Sequence, residues 1–226
     1  MSSPWLFVSS CVHLGAKECR LDLFRESLKE ARRRRAAIAL IGDTLDVGSY
    51  VGTGHQGSVF DNTHDPQEQI DLAVKVLRPY AKQVAVILTG NHELRLHKAA
   101  GLHLNKVVAD ELGIGGAYMD EYATYRSRGR AVFLAHGSNK SDFQRVLSGH
   151  SGLDAVVLGH THELETRVAR RREGGKLREI ALVRAGTYLQ EPRYGKLALY
   201  PPNPVGGAWL YLGKQIYCEL GVRPRP

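Results

Sequence analysis

Two histidines stand in the turn Gly159-His160-Thr161-His162, directly after the apolar run Ala155-Val156-Val157-Leu158. A short apolar run of this kind predicts a buried strand, and the glycine that follows it permits a sharp turn. A turn at the end of a strand can bring both imidazoles to one point, where they could ligate a metal ion. This turn is therefore the first candidate functional site.

Polar side chains also follow other short apolar runs of the chain. They belong to His13, Asp43, Asn91, His92 and His136. A single histidine in such a place is usually a hydrogen-bonded structural residue. Burying all of these groups at one sheet edge would be costly without a partner, and a metal ion is the natural partner for imidazoles and a carboxylate. We therefore predict a metal site that is built from the ends of several strands.

Alternating strands and helices are expected to position these residues. Apolar runs and turn residues predict strands over 5–9, 36–41, 84–88, 118–125, 131–135, 155–158, 164–170, 177–184, 196–200 and 208–212. Apolar periodicity predicts helices over 21–35, 66–80, 97–112 and 141–148. The alternation alone indicates an open, mostly parallel sheet, and such sheets hold ligands at the carboxyl ends of their strands.

The composition is that of an ordinary globular protein. The chain has 226 residues, 43% of them hydrophobic and 24% charged, and we expect residues 1–226 to form a single domain. We expect no signal peptide and no membrane span, and three cysteines without a pairing pattern favour a cytoplasmic location. Much of the formal net charge of +8 lies in Arg32–Arg35 and Arg170–Arg172, which we interpret as a solvated helix end and a hairpin rim.

Five motifs of the chain resemble those of the calcineurin-like metallophosphoesterases, a superfamily of phosphatases, phosphodiesterases and nucleases with two metal ions. The family motifs are Asp-x-His, Gly-Asp-x-x-Asp, Gly-Asn-His-Asp/Glu, a His before Gly, and Gly-His-x-His. Here they stand, in the same order, as Cys11-Val12-His13, Gly42-Asp43-Thr44-Leu45-Asp46, Gly90-Asn91-His92-Glu93, His136-Gly137 and Gly159-His160-Thr161-His162. The resemblance implies an α/β fold of the metallophosphoesterase type, a β-sandwich flanked by helices in four αββα layers.

The resemblance also implies a metal-binding role for most motif residues. The first divalent ion would be held by His13, Asp43 and His162. Asp43 would bridge to a second ion, which Asn91, His136 and His160 complete. A hydroxide held between the two ions would attack the phosphate, and manganese, zinc or iron are the metals that we expect.

Three further residues would act beside the metal ions. The resemblance implies that His92 faces the scissile phosphate and protonates the leaving oxygen, so that His92 and Asp43 are the expected catalytic residues. Asp46 and Glu93 would orient histidines from behind. Arg95, two residues after the third motif, could contact a substrate phosphate through its planar guanidinium, or else form a salt bridge with a helix neighbour.

Cys11 stands where the family has the aspartate of its first motif, and three interpretations remain open. The thiolate could ligate the first ion, which would favour Zn²⁺ or Fe over Mg²⁺. Alternatively, Cys11 is not a ligand and the first ion is bound weakly, or the thiol is only a small buried group beside an intact site. We favour ligation, because a neighbouring metal ion would lower the pKa of the thiol enough to ionise it.

Hydrolysis of phosphate esters is the activity that the resemblance implies. The positive net charge favours a phosphodiesterase with a nucleotide or nucleic acid as substrate, and a phosphomonoesterase of the same fold is the alternative. A non-catalytic scaffold is the alternative of a different class. The full set of motif histidines together with Asp43 disfavours the scaffold.

Overall fold

The computed structural model describes residues 3–47, 62–139, 141–191, 196, 199, 202 and 204–223. Its strands are β1 (Trp5–Ser9), β2 (Ala37–Ile41), β3 (Val84–Leu88), β4 (Tyr118–Met119), β5 (Tyr122–Ser127), β6 (Arg130–Ala135), β7 (Ala155–Leu158), β8 (Leu164–Glu173), β9 (Lys176–Ala185), β10 (Gly207–Leu212) and β11 (Ile216–Gly221). Its α-helices are α1 (Leu21–Arg33), α2 (Pro66–Leu77), α3 (Asn91–Ala100), α4 (Leu104–Glu111) and α5 (Asp142–Gly149). Within these ranges, no helix combines the length and the apolar character that crossing a membrane requires.

The strands form two sheets. One has the order β11-β10-β1-β2-β3-β4 and the other the order β5-β6-β7-β9-β8. In the first sheet β1, β2, β3 and β4 are parallel neighbours, and in the second β6, β7 and β9 are. The remaining pairings are antiparallel. They join β1 with β10, β10 with β11, β5 with β6, and β8 with β9. Two mixed sheets thus replace the single, mostly parallel sheet that the alternation of strands and helices indicates by itself.

Three apolar clusters show how the layers pack. Between the sheets, side chains such as Val8 and Ile41 of the first sheet meet Leu134 and Val157 of the second. Helices α1, α2 and α4 cover the outer face of the first sheet. Helix α5 covers the outer face of the second sheet through Phe143 and its neighbours. The predicted β-sandwich with helices on both sides, four αββα layers, is confirmed.

The third motif forms the first turn of a helix that begins six residues before the predicted start at residue 97. In place of one helix over 97–112 there are two, α3 and α4, and α3 already begins at Asn91. The Glu93 carboxylate accepts the backbone N–H of Gly90 at 2.9 Å, which caps the first turn. Helix α3 ends at Ala100 and is followed by Gly101, whose φ of 71° is the left-handed conformation that favours glycine. Asn91, His92 and Glu93 therefore form one rigid helical turn.

Other elements differ from prediction at their ends. The strand predicted over 118–125 is two strands in different sheets, β4 and β5, because the chain bends at Asp120 and Glu121. Helix α2 ends at Leu77 and continues as a 3₁₀ helix over Arg78–Gln83. Strand β11 has no counterpart among the predicted strands, and the strand predicted over 196–200 lies mostly outside the described residues.

Candidate metal centre

The motif residues lie in turns at the carboxyl ends of β1, β2, β3, β6 and β7. Five of them adopt a left-handed backbone, with φ of 51° at Cys11, 53° at His13, 49° at Asp43, 67° at His160 and 61° at His162. This conformation is unfavourable for residues other than glycine and costs on the order of 1–3 kcal/mol each. Such strain persists only where the surroundings hold the residue in place, and it concentrates at functional sites.

Direct contact between the turns explains two of the motif glycines. A Cβ atom added at Gly90 would lie 2.2 Å from both the backbone N and the Oδ1 of Asp43. At Gly159 it would lie 1.9 Å from Ser10 Oγ. Neither position has room for a side chain, so the glycines let the turns pack against each other.

His13, His162 and Cys11 form one side of the centre. The Nε2 atoms of His13 and His162 are 3.3 Å apart, and the ligand atoms of all three residues lie within 4.8 Å of one another. His13 Nδ1 is 2.8 Å from Asp46 Oδ1, an acceptor, so Nδ1 carries the proton and Nε2 presents its lone pair to the centre. Burial, followed by the nearby His13, lowers the pKa of His162 to about 3, so the His162 ring is neutral.

Asn91, His136 and His160 form the other side. Asn91 Oδ1 lies 2.9 Å from His136 Nε2 and 2.8 Å from His160 Nδ1. His136 Nδ1 donates to the carbonyl oxygen of Ile41 at 2.9 Å, which leaves Nε2 facing the oxygen of Asn91. His136 Nε2 and Asn91 Oδ1 are then two acceptors only 2.9 Å apart, so they need a positive charge between them. A second proton on His136 or a metal ion would supply it. Burial opposes protonation of His136, but Asp43 outweighs it and raises the pKa of the ring.

Asp43 lies between the two sides. Its Oδ2 is 3.2 Å from His136 Nε2 and 4.0 Å from His13 Nε2, while its Oδ1 accepts the backbone N–H of His92 at 2.9 Å. Burial disfavours the charged carboxylate, yet the neighbouring histidines, His136 above all, hold the pKa of Asp43 well below its ordinary value. An ionised, buried carboxylate therefore reaches both groups of ligands.

Asp46 contacts two histidines at once. Its Oδ1 is 2.8 Å from His13 Nδ1 and 3.0 Å from His92 Nδ1. Burial lowers the pKa of His92, but the carboxylates of Asp46 and Asp43 outweigh burial and raise it above the ordinary value. The ring of His92 stands edge-on to His13 with their centroids 4.7 Å apart. The pKa of His92 is thus raised, as is that of His136, and His92 lies beside the two sides of the centre in a group with His13 and Asp46.

Glu93 supports the backbone, which differs from its expected role. Its carboxylate accepts the N–H groups of Asp43 at 3.1 Å, Leu45 at 3.0 Å and Gly90 at 2.9 Å. Among the described residues it has no hydrogen bond to a histidine, so the expectation that it orients one is corrected. It instead joins the second motif to the third, because these N–H groups lie at loop positions without a partner in a sheet or helix.

Arg95 is exposed on α3, in the turn after His92. Within the described ranges no ion pair to a neighbouring side chain involves it, so the alternative of a helix salt bridge has no support there. The positive charge of Arg95 opposes protonation of His92 as the smallest of the effects on that pKa. Contact of Arg95 with a substrate stays a prediction.

Thr187 is a residue of the site that the motifs do not reveal. Its hydroxyl donates to the carbonyl oxygen of Cys11 at 2.9 Å, and the backbone N–H of Tyr188 donates to the same oxygen at 3.0 Å. These two bonds hold Cys11 in its left-handed conformation. The signal that points to Thr187 is a polar residue that follows the end of strand β9 and Gly186.

Comparison with known proteins adds similarities of overall structure. No protein-family model and no curated protein matches the chain. The chain is similar to a conserved uncharacterized protein, a predicted phosphoesterase, from Streptococcus pneumoniae, with 12% identity, a TM-score of 0.49, and coverage of 98% of this chain and 92% of the other. It is similar to zinc-complexed Vps29 from Entamoeba histolytica, with 13% identity, a TM-score of 0.46, and coverage of 96% and 97%. It is also similar to a metallophosphoesterase from Sphaerobacter thermophilus, with 16% identity, a TM-score of 0.46, and coverage of 98% and 89%.

Substitution of Gly90 tests the close packing of the turns. In Gly90→Ala the methyl group overlaps the backbone and carboxylate of Asp43, so we expect Asp43 to shift, metal binding to weaken and stability to fall by about 1–3 kcal/mol. Gly116→Ala is the matched control, because a Cβ there meets nothing within 4 Å. Thermal unfolding and metal content are the measurements. Equal behaviour of the two variants would contradict the contact between Gly90 and Asp43.

Proposed function

We propose that this protein is a metal-dependent phosphoesterase that binds two divalent ions and acts best on phosphodiesters. The observation that supports this most is the convergence of five strand-end turns around one buried carboxylate, Asp43. Two sets of donors flank it: Cys11, His13 and His162 on one side, and Asn91, His136 and His160 on the other.

The donor set fits divalent metals of the first transition row. Imidazole suits zinc and iron, carboxylate and amide oxygens suit manganese, and a thiolate favours the softer of these ions. The rings of His13 and His136 have their Nδ1 protons held by Asp46 and by the Ile41 carbonyl, which leaves both Nε2 atoms available as ligands. Bound there, two ions would supply positive charge for the phosphoryl oxygens and lower the pKa of a water molecule towards neutrality.

His92 is the proposed proton donor to the leaving oxygen. It needs a proton at working pH, and the carboxylates of Asp46 and Asp43 provide for this by raising its pKa against the effect of burial. Asp46 lies against Nδ1, so Nε2 is the atom from which the proton would leave. Proton donation by a positioned side chain contributes roughly 10²–10⁴-fold to a rate.

Positive charge supports a phosphodiester substrate of the nucleotide or nucleic-acid kind. The chain carries a formal net charge of +8, and the exposed guanidinium of Arg95 follows His92 in the same helix. A guanidinium can pair with phosphate oxygens through two parallel hydrogen bonds. A second phosphate or the bridging phosphate of a larger substrate would therefore find a partner at Arg95.

Two chromogenic esters test the proposed activity. With Mn²⁺, Zn²⁺ or Fe²⁺ we expect faster turnover of bis-p-nitrophenyl phosphate than of p-nitrophenyl phosphate, because a diester has a second ester arm that can contact groups beside the centre. Faster turnover of the monoester would support a phosphomonoesterase instead. A folded protein without turnover of either ester under any metal would support the scaffold and contradict the proposal.

Substitutions at His92 and Asp43 separate proton donation from metal binding. His92→Ala should slow turnover by roughly 10²–10⁴-fold and keep its metal content, since the ring donates a proton and holds no metal. Asp43→Asn should lose most bound metal, because a neutral amide replaces the shared carboxylate. His150→Ala is the control, since its ring lies against Phe133 away from the motifs. Metal loss in His92→Ala would make His92 a ligand.

Exchange of Cys11 tests the metal preference. The Cys11 sulfur is buried and belongs to a ligand group with His13 and His162 and to another with Asp43 and His136. We expect Cys11→Asp to move the preference from Zn²⁺ towards Mn²⁺, and Cys11→Ala to weaken zinc binding, because each removes the soft donor. Competition binding and the thiolate charge-transfer absorption of a cobalt-loaded sample are the measurements. Cys19→Ala is the control, and unchanged metal content and preference in both Cys11 variants would rule out ligation.

A further inference from the structure

Arg184 is a buried cation that lies behind the candidate metal centre. It is the penultimate residue of β9 and is only 1% exposed. Its neighbours Val183 and Ala185 point into the core between the sheets, so the alternation of a strand turns Arg184 towards α5. There the guanidinium lies 4.7 Å from the centre of the Phe143 ring. Burial of a guanidinium is costly, and its hydrogen bonds must compensate.

The guanidinium bridges two loops that carry histidines. Nη2 donates to the carbonyl oxygen of Asn139 at 2.8 Å, and Nη1 donates to that of Gly159 at 3.3 Å. Asn139 follows His136 by three residues, and Gly159 directly precedes His160. The Gly159 N–H also donates to the carbonyl oxygen of His136 at 3.0 Å. Arg184 therefore hydrogen-bonds both loops at the point where the fourth and fifth motifs contact each other, which we call the joint between these motifs.

The rest of this joint is fixed by separate contacts. The Asp142 carboxylate accepts the backbone N–H groups of Ser138 and of Asn139, the latter at 2.8 Å. At the far end of the fifth motif, the carbonyl oxygen of Glu163 accepts the Gly186 N–H at 2.9 Å. His160 is thus next to a carbonyl group to which Arg184 donates a hydrogen bond. Next to His162 the contact of the guanidinium is longer, with 4.0 Å between Arg184 Nε and Glu163 Oε2.

We infer that Arg184 is a positioning residue for the His136 and His160 side of the centre, and so for the second metal ion; this rests on the proposed function. Asn91 Oδ1 lies within 3 Å of a ring nitrogen of both histidines, so a small displacement of either loop changes the ligand geometry. The other side depends on Asp46, which holds His13 at 2.8 Å. Loss of Arg184 therefore weakens one metal position more than the other.

The positive charge of Arg184 and its bridge between the two loops have opposite effects on the affinity for a metal ion. Arginine is positively charged at all relevant pH values, so removing it would by electrostatics alone strengthen the binding of a nearby cation. Loss of the bridge between the loops weakens binding. Arg184→Met removes both the charge and the bridge, whereas Arg184→Lys keeps the charge but lacks the planar fork that spans two carbonyl groups. The two variants together separate the effects.

The experiment titrates the metal-free full chain with Zn²⁺ and, separately, Mn²⁺ by calorimetry, with metal content and circular dichroism measured on each sample. We expect two ions in the wild type. Both Arg184 variants should retain the first ion with unchanged affinity and bind the second roughly 10–100-fold more weakly, the usual effect of losing a residue that orients ligands. Arg178→Met is the matched control, since Arg178 lies in the same strand and pairs with Asp154 at 3.1 Å and Glu173 at 3.6 Å.

Several results would overturn the inference. Unchanged or tighter binding of the second ion in Arg184→Lys and Arg184→Met would show that the bridge does not position ligands. Equal weakening of both ions, or loss of the folded state in both variants, would show that Arg184 serves the fold as a whole. A wild-type chain that binds fewer than two ions would contradict the proposed function itself, and with it the basis for a second site.

Discussion

The buried negative charge of Asp43 is the constraint on which the candidate site depends. The residue is 2% exposed, and removing a carboxylate from water costs several kcal/mol unless positive charge and hydrogen bonds compensate. The compensation comes from the backbone N–H of His92, which donates to Oδ1, and from His136, whose Nε2 lies 3.2 Å from Oδ2. Asp43 raises the pKa of His136, so a proton on that ring would satisfy the charge in part, and a metal ion on each side would satisfy it better.

The fold supplies what that constraint requires. Packing two sheets face to face brings the carboxyl ends of β1, β2, β3, β6 and β7 to one edge, where their turns meet. The turns approach so closely that Gly90 and Gly159 cannot carry side chains, and five ligand-type residues adopt an unfavourable backbone. The apolar core between the sheets provides the stability that offsets this local strain.

The sequence predicts the ligand-type residues of the site better than the residues that hold their turns in place. Strand ends followed by His, Asp and Asn are visible in the sequence, and the motifs place them in order. The sequence does not reveal that α3 begins at Asn91, because Gly90 has no side chain that could cap the helix. The cap is instead the carboxylate of Glu93, three residues after Gly90. The roles of Arg184 and Glu93 cannot be predicted from the sequence either. Each side chain binds backbone groups that are distant in the sequence and that only the fold brings close. Strand β11 has an apolar run of only Ile216–Cys218 and pairs with β10 over its whole length.

Anomalous diffraction from crystals grown with zinc or manganese would test the central claim most directly. Two metal ions held by the motif residues should give two peaks about 3.5–4 Å apart. One peak should lie next to His13 and His162, the other next to Asn91, His136 and His160, with Asp43 between them. A single peak elsewhere, or ordered side chains at this point without any peak at saturating metal, would contradict a dinuclear centre.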